Sequence, residues 1–94
     1  MPLTVEFLGL ARILTHVSHH TLQLHNGRTY RQIIKALGED FPELVGHVIA
    51  PGLESMHSSN MLCVNGTHMI QPGDMDRSPT EGDRIILMSI LAGG

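Results

Sequence analysis

The chain has 94 residues, of which 41% are hydrophobic, 16% charged and 3% aromatic, and its formal net charge is −3 at pH 7. This length and balance are typical of one small globular domain, with room for a modest core but not for a deep catalytic cleft. The single cysteine excludes a disulfide framework and a four-cysteine metal site, and six basic against nine acidic residues argue against binding to a nucleic-acid backbone.

Alternating apolar residues predict two strands near the amino end. Residues 3–7 alternate between apolar and polar side chains, which indicates a strand with one buried face. The apolar connector at residues 10–14 favours a short turn folded onto the core. Residues 21–24 repeat the alternation, and Asn26-Gly27 closes this second strand as a turn.

The clearest local signal is a helix that begins after Thr29. Thr29 and Gln32 have the spacing of a capping box, in which each side chain bonds the other residue's backbone N–H. Gly38 or the Phe41-Pro42 step should end the helix, because the residue before a proline avoids the helical region. Apolar residues at helical spacing predict one buried stripe: Tyr30, Ile33, Ile34, Leu37 and Phe41.

The second half of the chain predicts a hairpin followed by a central strand. Residues 54–60 are polar and indicate an exposed loop, and residues 62–64 form a third strand. Asn65-Gly66 is a strong hairpin signal that turns the chain back through a short fourth strand. Residues 84–91 are apolar on both sides, which is typical of a strand covered on both faces.

This order of elements predicts an α+β fold. The last strand should lie beside the first, so that two hairpins crossed by one helix form a mixed sheet. We therefore expect a β-grasp (ubiquitin-like) fold, with about five strands wrapped around one main helix. The expected domain spans residues 1–90, followed by a flexible Gly-Gly tail at residues 91–94. Neither a membrane span nor a targeting segment is recognisable, which favours a cytoplasmic location without membrane contact.

The tail Leu91-Ala92-Gly93-Gly94 is the feature that points to chemistry. Fully extended, such a segment spans about 13–14 Å, at ~3.3–3.6 Å per residue. Glycine has no Cβ, so the tail could enter a narrow channel in a partner and present a terminal carboxylate there. A carboxylate acylates only after activation, and reaction with ATP would give an acyl-adenylate that a sulfur nucleophile can attack.

Three segments together resemble the MoaD/ThiS family of sulfur carriers. They are Val5-Glu6-Phe7-Leu8-Gly9-Leu10-Ala11-Arg12, Leu62-Cys63-Val64-Asn65-Gly66, and Glu81-Gly82-Asp83-Arg84-Ile85 leading to Leu91-Ala92-Gly93-Gly94. The resemblance covers nearly the whole chain in the same order. It is closer to the MoaD branch, the small subunits of molybdopterin synthase, than to the thiazole-pathway carriers.

The resemblance implies a mechanism in which Gly94 is the covalent site. An E1-like adenylyltransferase of the MoeB/ThiF type would activate its carboxylate with ATP, and a sulfurtransferase would convert it to a thiocarboxylate. Leu91, Ala92 and Gly93 would form the slim tail that enters the large subunit of molybdopterin synthase and donates sulfur for molybdenum or tungsten cofactor. The chain itself would bind no cofactor, because the partner consumes the ATP. It would act as a small subunit or sulfur-donating co-substrate without an active site of its own.

The resemblance also implies an apolar docking surface on the sheet face beside the last strand. Leu8, Met61 and Met69 are the candidate contact residues, with Met88 as a fourth. For Met88 we favour ordinary core packing, because the last strand is apolar on both sides.

Three other functions remain open on the sequence alone. The chain could carry sulfur for thiazole or another metabolite. It could be a ubiquitin-related modifier attached to target proteins through Gly94, although Lys35, its only lysine, leaves one acceptor for chain formation. It could also be a β-grasp binding module that is never conjugated.

For three further groups of residues, a functional role is compared with an ordinary structural one. No metal site is expected, because His19 and His20 would point to opposite faces of a strand and no Asp, Glu or Cys is expected near them; His16 lies close by. Cys63 is expected to be a small buried residue. The acidic residues near the start of the last strand indicate a solvated loop, or a patch that docks against basic residues of an activating enzyme: Asp74, Asp76, Glu81 and Asp83.

Overall fold

The computed structural model describes residues 2–23, 28–52, 55–56 and 60–89. Two helices and five strands make up its regular structure, together with short 3-10 turns at Pro42–Leu44 and Pro72–Asp74. In chain order the elements are β1 (Pro2–Phe7), α1 (Leu10–Thr15), β2 (His19–Gln23), α2 (Tyr30–Asp40), β3 (Asn60–Val64), β4 (His68–Met69) and β5 (Ile85–Ser89).

The strands form one mixed sheet in the order β2-β1-β5-β3-β4. β1 is antiparallel to β2 and parallel to β5, whereas β3 is antiparallel to both β5 and β4. Val5 lies opposite Ile85, and Leu87 lies between Phe7 and Leu62. The expectation that the last strand is central and adjacent to the first is therefore confirmed, and so is the β-grasp arrangement.

Helix α2 begins and ends where the sequence signals place it. Thr29 Oγ1 accepts a hydrogen bond from Gln32 N at 3.3 Å, and Thr29 N donates to Gln32 Oε1 at 2.8 Å, which completes the capping box. The helix runs through Gly38 and ends before Phe41-Pro42. Its buried side chains include most of the predicted stripe: Tyr30, Ile33, Ile34 and Leu37.

The hydrophobic core lies between α2 and one face of the sheet. Alternate residues of each strand point to the same face, so Leu62 and Val64 of β3 enter the core while Cys63 does not. On β5, Ile85 and Leu87 likewise belong to the core, and Ile86 between them is buried on the opposite face. The sheet therefore has an inner face against α2 and an outer face directed away from it.

The structure differs from the predictions made from the sequence at the boundaries of three elements. Asn60 was expected in an exposed loop, but it begins β3 and is buried, and its Nδ2 donates to His47 O at 3.0 Å. The connector at residues 10–14 forms the short helix α1, and β2 begins earlier than expected, at His19.

Some predictions fall outside the described residues. These are Leu24, the Asn26-Gly27 turn and most of the loop at residues 54–60. The predicted end of the last strand, at residues 90–91, also lies outside them. No helix in the described ranges is long and apolar enough to cross a membrane.

Candidate docking face

The outer face of the sheet has an apolar half formed by β5, β3 and β4. Met61 of β3 lies opposite Met88 of β5, and Cys63 lies between Ile86 and Met69 on the neighbouring strands. Leu8 follows the Phe7–Leu87 pair, and its N–H donates to Leu87 O at 2.9 Å, so it continues the same face beside Met88. We call this surface the apolar outer face, and its members are Leu8, Met61, Cys63, Met69, Ile86 and Met88.

The side chains of the apolar outer face differ in their exposure. Leu8 is 41% exposed, one of the two large hydrophobic residues with high exposure in the described part of the chain. Met61 and Met69 are half-buried. Met88 was expected in the core, but it is half-buried and lies outside the core cluster, so that expectation is wrong. Ile86 and Cys63 are buried, and the sequence did not identify them as members of this face.

The other half of the outer face is polar and follows β1 and β2. Glu6 forms an ion pair with Arg84 and lies 3.5 Å from His19 Nε2. Thr4 and Thr21 share a hydrogen bond of 3.3 Å between their hydroxyls. An open depression of about 590 Å³ runs along this half. The polar half thus borders the apolar outer face along β1 and β5.

We expect the ion pair to be visible as a shifted titration of Glu6. The hydrogen bond from Arg84 lowers the pKa of the Glu6 carboxyl below its ordinary value. The pair therefore stabilises the folded protein above the pKa of the unfolded chain, and this stabilisation is lost as the pH falls through the folded pKa. NMR titration of the Glu6 carboxyl carbon should show its pKa rising in Arg84→Gln.

The matched control for this titration is Arg31→Gln. Arg31 pairs with Asp76, with 3.1 Å between Nε and Oδ1, and has no contact with Glu6. The pKa of Glu6 should therefore stay at its wild-type value in this variant. A Glu6 pKa that does not change in Arg84→Gln would contradict the assignment.

The predicted reactive tail, residues 91–94, follows β5 in the sequence after Ile90. The described part of β5 ends at Ser89, opposite Asn60, at the end of the sheet where Leu8 and Met61 also lie. The tail residues themselves lie outside the described residues: Leu91, Ala92, Gly93 and Gly94. The structure therefore places two of the predicted docking residues, Leu8 and Met61, at the end of β5, and Met69 farther along the face.

The histidines have acidic neighbours in space that the sequence does not reveal. His20 Nε2 lies 2.9 Å from Asp40 Oδ2, and its ring packs edge-on against Phe41 at 4.7 Å between centroids. His19 lies beside Glu6. The expectation that no acidic residue is near these histidines is wrong for the folded chain. Among the described residues, no three His, Cys, Asp or Glu side chains are grouped so that they could hold a metal ion.

Most of the predicted acidic patch is engaged in contacts within the protein. Asp74 accepts from Gln71 N at 3.0 Å, and this backbone hydrogen bond is the main cause that lowers the pKa of its carboxyl. Asp76 pairs with Arg31. Asp83 accepts from Thr80 N at 2.8 Å. Three of the four carboxylates are thus held by their neighbours.

The fold and its apolar outer face define the class of protein. A mixed sheet that wraps around one helix, with a central last strand and an apolar outer face, is the architecture of the ubiquitin-like β-grasp proteins. The family follows from the sequence match: the chain belongs to the ThiS family, whose model matches residues 5–94. No curated protein was found to match the chain.

Solved structures with the same fold have little sequence in common with this chain. The chain is similar to SAMP1 from Haloferax volcanii, with a TM-score of 0.80 and 14% identity over 100% of both chains. It is similar to a Pyrococcus furiosus protein assigned as molybdopterin converting factor, subunit 1 (TM-score 0.70, 16% identity, 96% of this chain and 98% of that one). It is also similar to Urm1 from Trypanosoma brucei (TM-score 0.70, 20% identity, 99% and 95%). These likenesses establish the ubiquitin-like fold.

Proposed function

We propose that the protein is a sulfur carrier whose reactive group is the Gly94 carboxylate. The observation that carries this proposal is the match to the ThiS family, which extends through Leu91-Ala92-Gly93-Gly94 to residue 94. The apolar outer face supports it, because this surface ends where β5 leads into the tail. A partner that docks on this face would receive the tail next to its contact surface.

The chemistry divides between the carrier and its partners. A carboxylate oxygen of Gly94 attacks the α-phosphorus of ATP, an oxygen–phosphorus bond forms, and pyrophosphate leaves. The outer sulfur of a persulfide on a sulfurtransferase then attacks the acyl carbon, the carbon–sulfur bond forms, and AMP leaves. A thiol attacks the sulfur–sulfur bond of the resulting acyl disulfide, which releases the thiocarboxylate and leaves a disulfide on the sulfurtransferase. An E1-like adenylyltransferase of the MoeB/ThiF type supplies ATP and the catalytic groups. The carrier contributes the docking surface and the narrow tail.

Within this class, we assign the carrier to molybdopterin synthesis. The thiocarboxylate tail enters the large subunit of molybdopterin synthase and transfers its sulfur to the pterin precursor of molybdenum or tungsten cofactor. This assignment is supported by the resemblance of residues 5–12 and of Ala92-Gly93-Gly94 to the MoaD branch. The Pyrococcus furiosus converting-factor subunit shares the fold. A carrier for thiazole would use the same activation with a different synthase.

A second candidate function is protein modification. Two structures similar to this chain bear the name small archaeal modifier protein 1, one from Haloferax volcanii and one from Methanosarcina acetivorans. In that function the activated Gly94 carboxyl would be attacked by a lysine amine of a target protein, with formation of an isopeptide bond.

Intact-mass measurement distinguishes these functions. The chain is incubated with ATP, an E1-like adenylyltransferase and a sulfur donor. We expect a mass gain equal to the difference between sulfur and oxygen. Deletion of Gly94 should abolish that gain while the amide NMR spectrum of the folded domain is retained.

Other outcomes of the mass measurement would favour the alternative functions. Covalent adducts to other proteins without a thiocarboxylate would favour the modifier. An unchanged mass with an adenylyltransferase that binds the chain would contradict both functions and favour a binding module. Sulfur transfer to a pterin precursor in the presence of the large subunit, rather than to a thiazole precursor, tests the pathway.

A further inference from the structure

A small polar pocket lies away from the apolar outer face, where the amino end of α2 meets the segment between β4 and β5. Its volume is about 150 Å³, and its walls include Tyr30, Ile70, Asp74, Arg77 and Asp83. We call it the Tyr30 pocket. None of these residues belongs to the apolar outer face, and the Gly94 chemistry does not use them.

The hydroxyl group of Tyr30 is the unusual feature of this pocket. Tyr30 is only 6% exposed, and its ring belongs to the hydrophobic core. Its backbone N–H donates to Arg77 O at 2.9 Å, but within the described part of the chain its hydroxyl makes no hydrogen bond. A buried tyrosine hydroxyl usually has a partner, because its desolvation is costly otherwise. Tyr30 lines the pocket, and so do the charged residues that act on its hydroxyl, Asp83, Arg77 and Asp74.

Two carboxylates in the pocket wall are held in place by the backbone. Asp83 accepts from Thr80 N at 2.8 Å and from Asn65 Nδ2 at 3.1 Å. Asp74 accepts from Gln71 N at 3.0 Å and has His68 Nε2 at 3.3 Å. Each carboxylate oxygen has two lone pairs, so these bonds leave acceptor capacity for a ligand.

Arg77, the guanidinium among the pocket residues, does not fill the pocket, so a second cation can enter it. Its side chain is 74% exposed, and it reaches Asp74 only at 3.7 Å, so it lies at the rim of the pocket. His68 also lines the pocket, and with its imidazole counted as neutral, two carboxylates against one guanidinium give the pocket a negative balance. An anionic ligand would be repelled there, and the small volume excludes a nucleotide, since pockets for larger ligands occupy roughly 300–1,000 Å³.

We propose that the Tyr30 pocket binds the ammonium group of a lysine side chain from a partner protein. An ammonium has three N–H donors, which match the Tyr30 oxygen and the two carboxylates. Ile70 is half-buried and supplies an apolar wall for the methylene stem of the lysine. The chain's single lysine, Lys35, does not line the pocket, so the amine comes from another molecule. This proposal is independent of the Gly94 chemistry.

The test is an NMR titration of the folded protein with Nα-acetyl-lysine methylamide. The matched neutral probe is Nα-acetyl-norleucine methylamide, which keeps the stem and lacks the ammonium. We expect saturable shifts at Tyr30, Asp74 and Asp83 with the lysine probe alone. Tyr30→Phe removes only the hydroxyl and should weaken binding about tenfold, because a hydrogen bond to a charged group is lost.

Two further variants complete the test: one should raise the affinity for the lysine probe, and the other is a control that should not change it. Arg77→Gln removes the competing cation and should tighten binding of the lysine probe. Glu81→Gln removes one negative charge from the same segment, outside the pocket wall, and should leave the affinity unchanged. Amide spectra of all variants report whether the fold is retained.

Three results would overturn the proposal. The first is equal binding of the norleucine probe, and the second is unchanged affinity in Tyr30→Phe. The third is no shift at the pocket residues at the highest probe concentration, which would mean that the pocket holds water only. Methylammonium that binds as tightly as the lysine probe would assign the pocket to a free amine instead of a partner's lysine.

Discussion

Replacing Leu87 by alanine is expected to lower the free energy of unfolding by about 2–5 kcal/mol. Leu87 is 0% exposed and lies on the central strand β5, between Phe7 and Leu62. Truncation removes buried apolar contacts and leaves a cavity at a position where strands on both sides hinder collapse. Urea denaturation followed by far-UV circular dichroism measures the loss.

The matched control for this prediction is the next residue of the same strand. Met88→Ala also shortens an apolar side chain, but Met88 is half-buried and lies outside the core cluster. We therefore expect a clearly smaller loss of unfolding free energy than in Leu87→Ala. Equal losses in the two variants would contradict the division of β5 into an inner and an outer face.

The local elements of this fold could be predicted because their signals lie close together in the sequence. The capping box of α2 involves residues three positions apart, Thr29 and Gln32, and the Phe41-Pro42 step ends the helix. Strand β1 shows the alternation of a half-buried strand. The apolar run of β5 predicts a central strand without any knowledge of its neighbours.

The same apolar run explains why the members of the apolar outer face were predicted only in part. When both faces of a strand are apolar, periodicity no longer tells the inner residues from the outer ones. Leu87 and Met88 therefore look alike in the sequence, and Met88 was placed in the core. The assignment of Cys63 and Ile86 to the outer face needed the register between β3 and β5.

Contacts between distant parts of the chain could not be predicted. Glu6 and Arg84 are 78 positions apart and meet because β1 and β5 are parallel neighbours. His20 and Asp40 meet because β2 lies beside the carboxyl end of α2. The Tyr30 hydroxyl, which makes no hydrogen bond among the described residues, likewise reflects tertiary packing, since the sequence shows only one more member of the helix stripe.

Placing a charge at Leu8 is expected to weaken docking of the adenylyltransferase by at least about tenfold, because Leu8 is the most exposed member of the apolar outer face. This prediction depends on the proposed function. Leu8→Asp would force a carboxylate into an apolar contact, where it loses water without gaining a partner. Leu8 is 41% exposed in the free protein, so the fold should tolerate the change. The affinity can be measured by calorimetry, and the rate of ATP-dependent activation should fall in parallel at low carrier concentration.

Thr21→Asp is the control that separates a local contact from a general charge effect. Thr21 is exposed on β2, opposite Thr4, so the variant adds the same charge to the polar half of the outer face. We expect its affinity for the adenylyltransferase to stay close to that of the unchanged protein. If Thr21→Asp weakened docking and Leu8→Asp did not, the enzyme would bind the polar half of the face. Equal weakening in both variants would instead indicate long-range repulsion from an acidic partner, and raising the salt concentration would then restore both affinities.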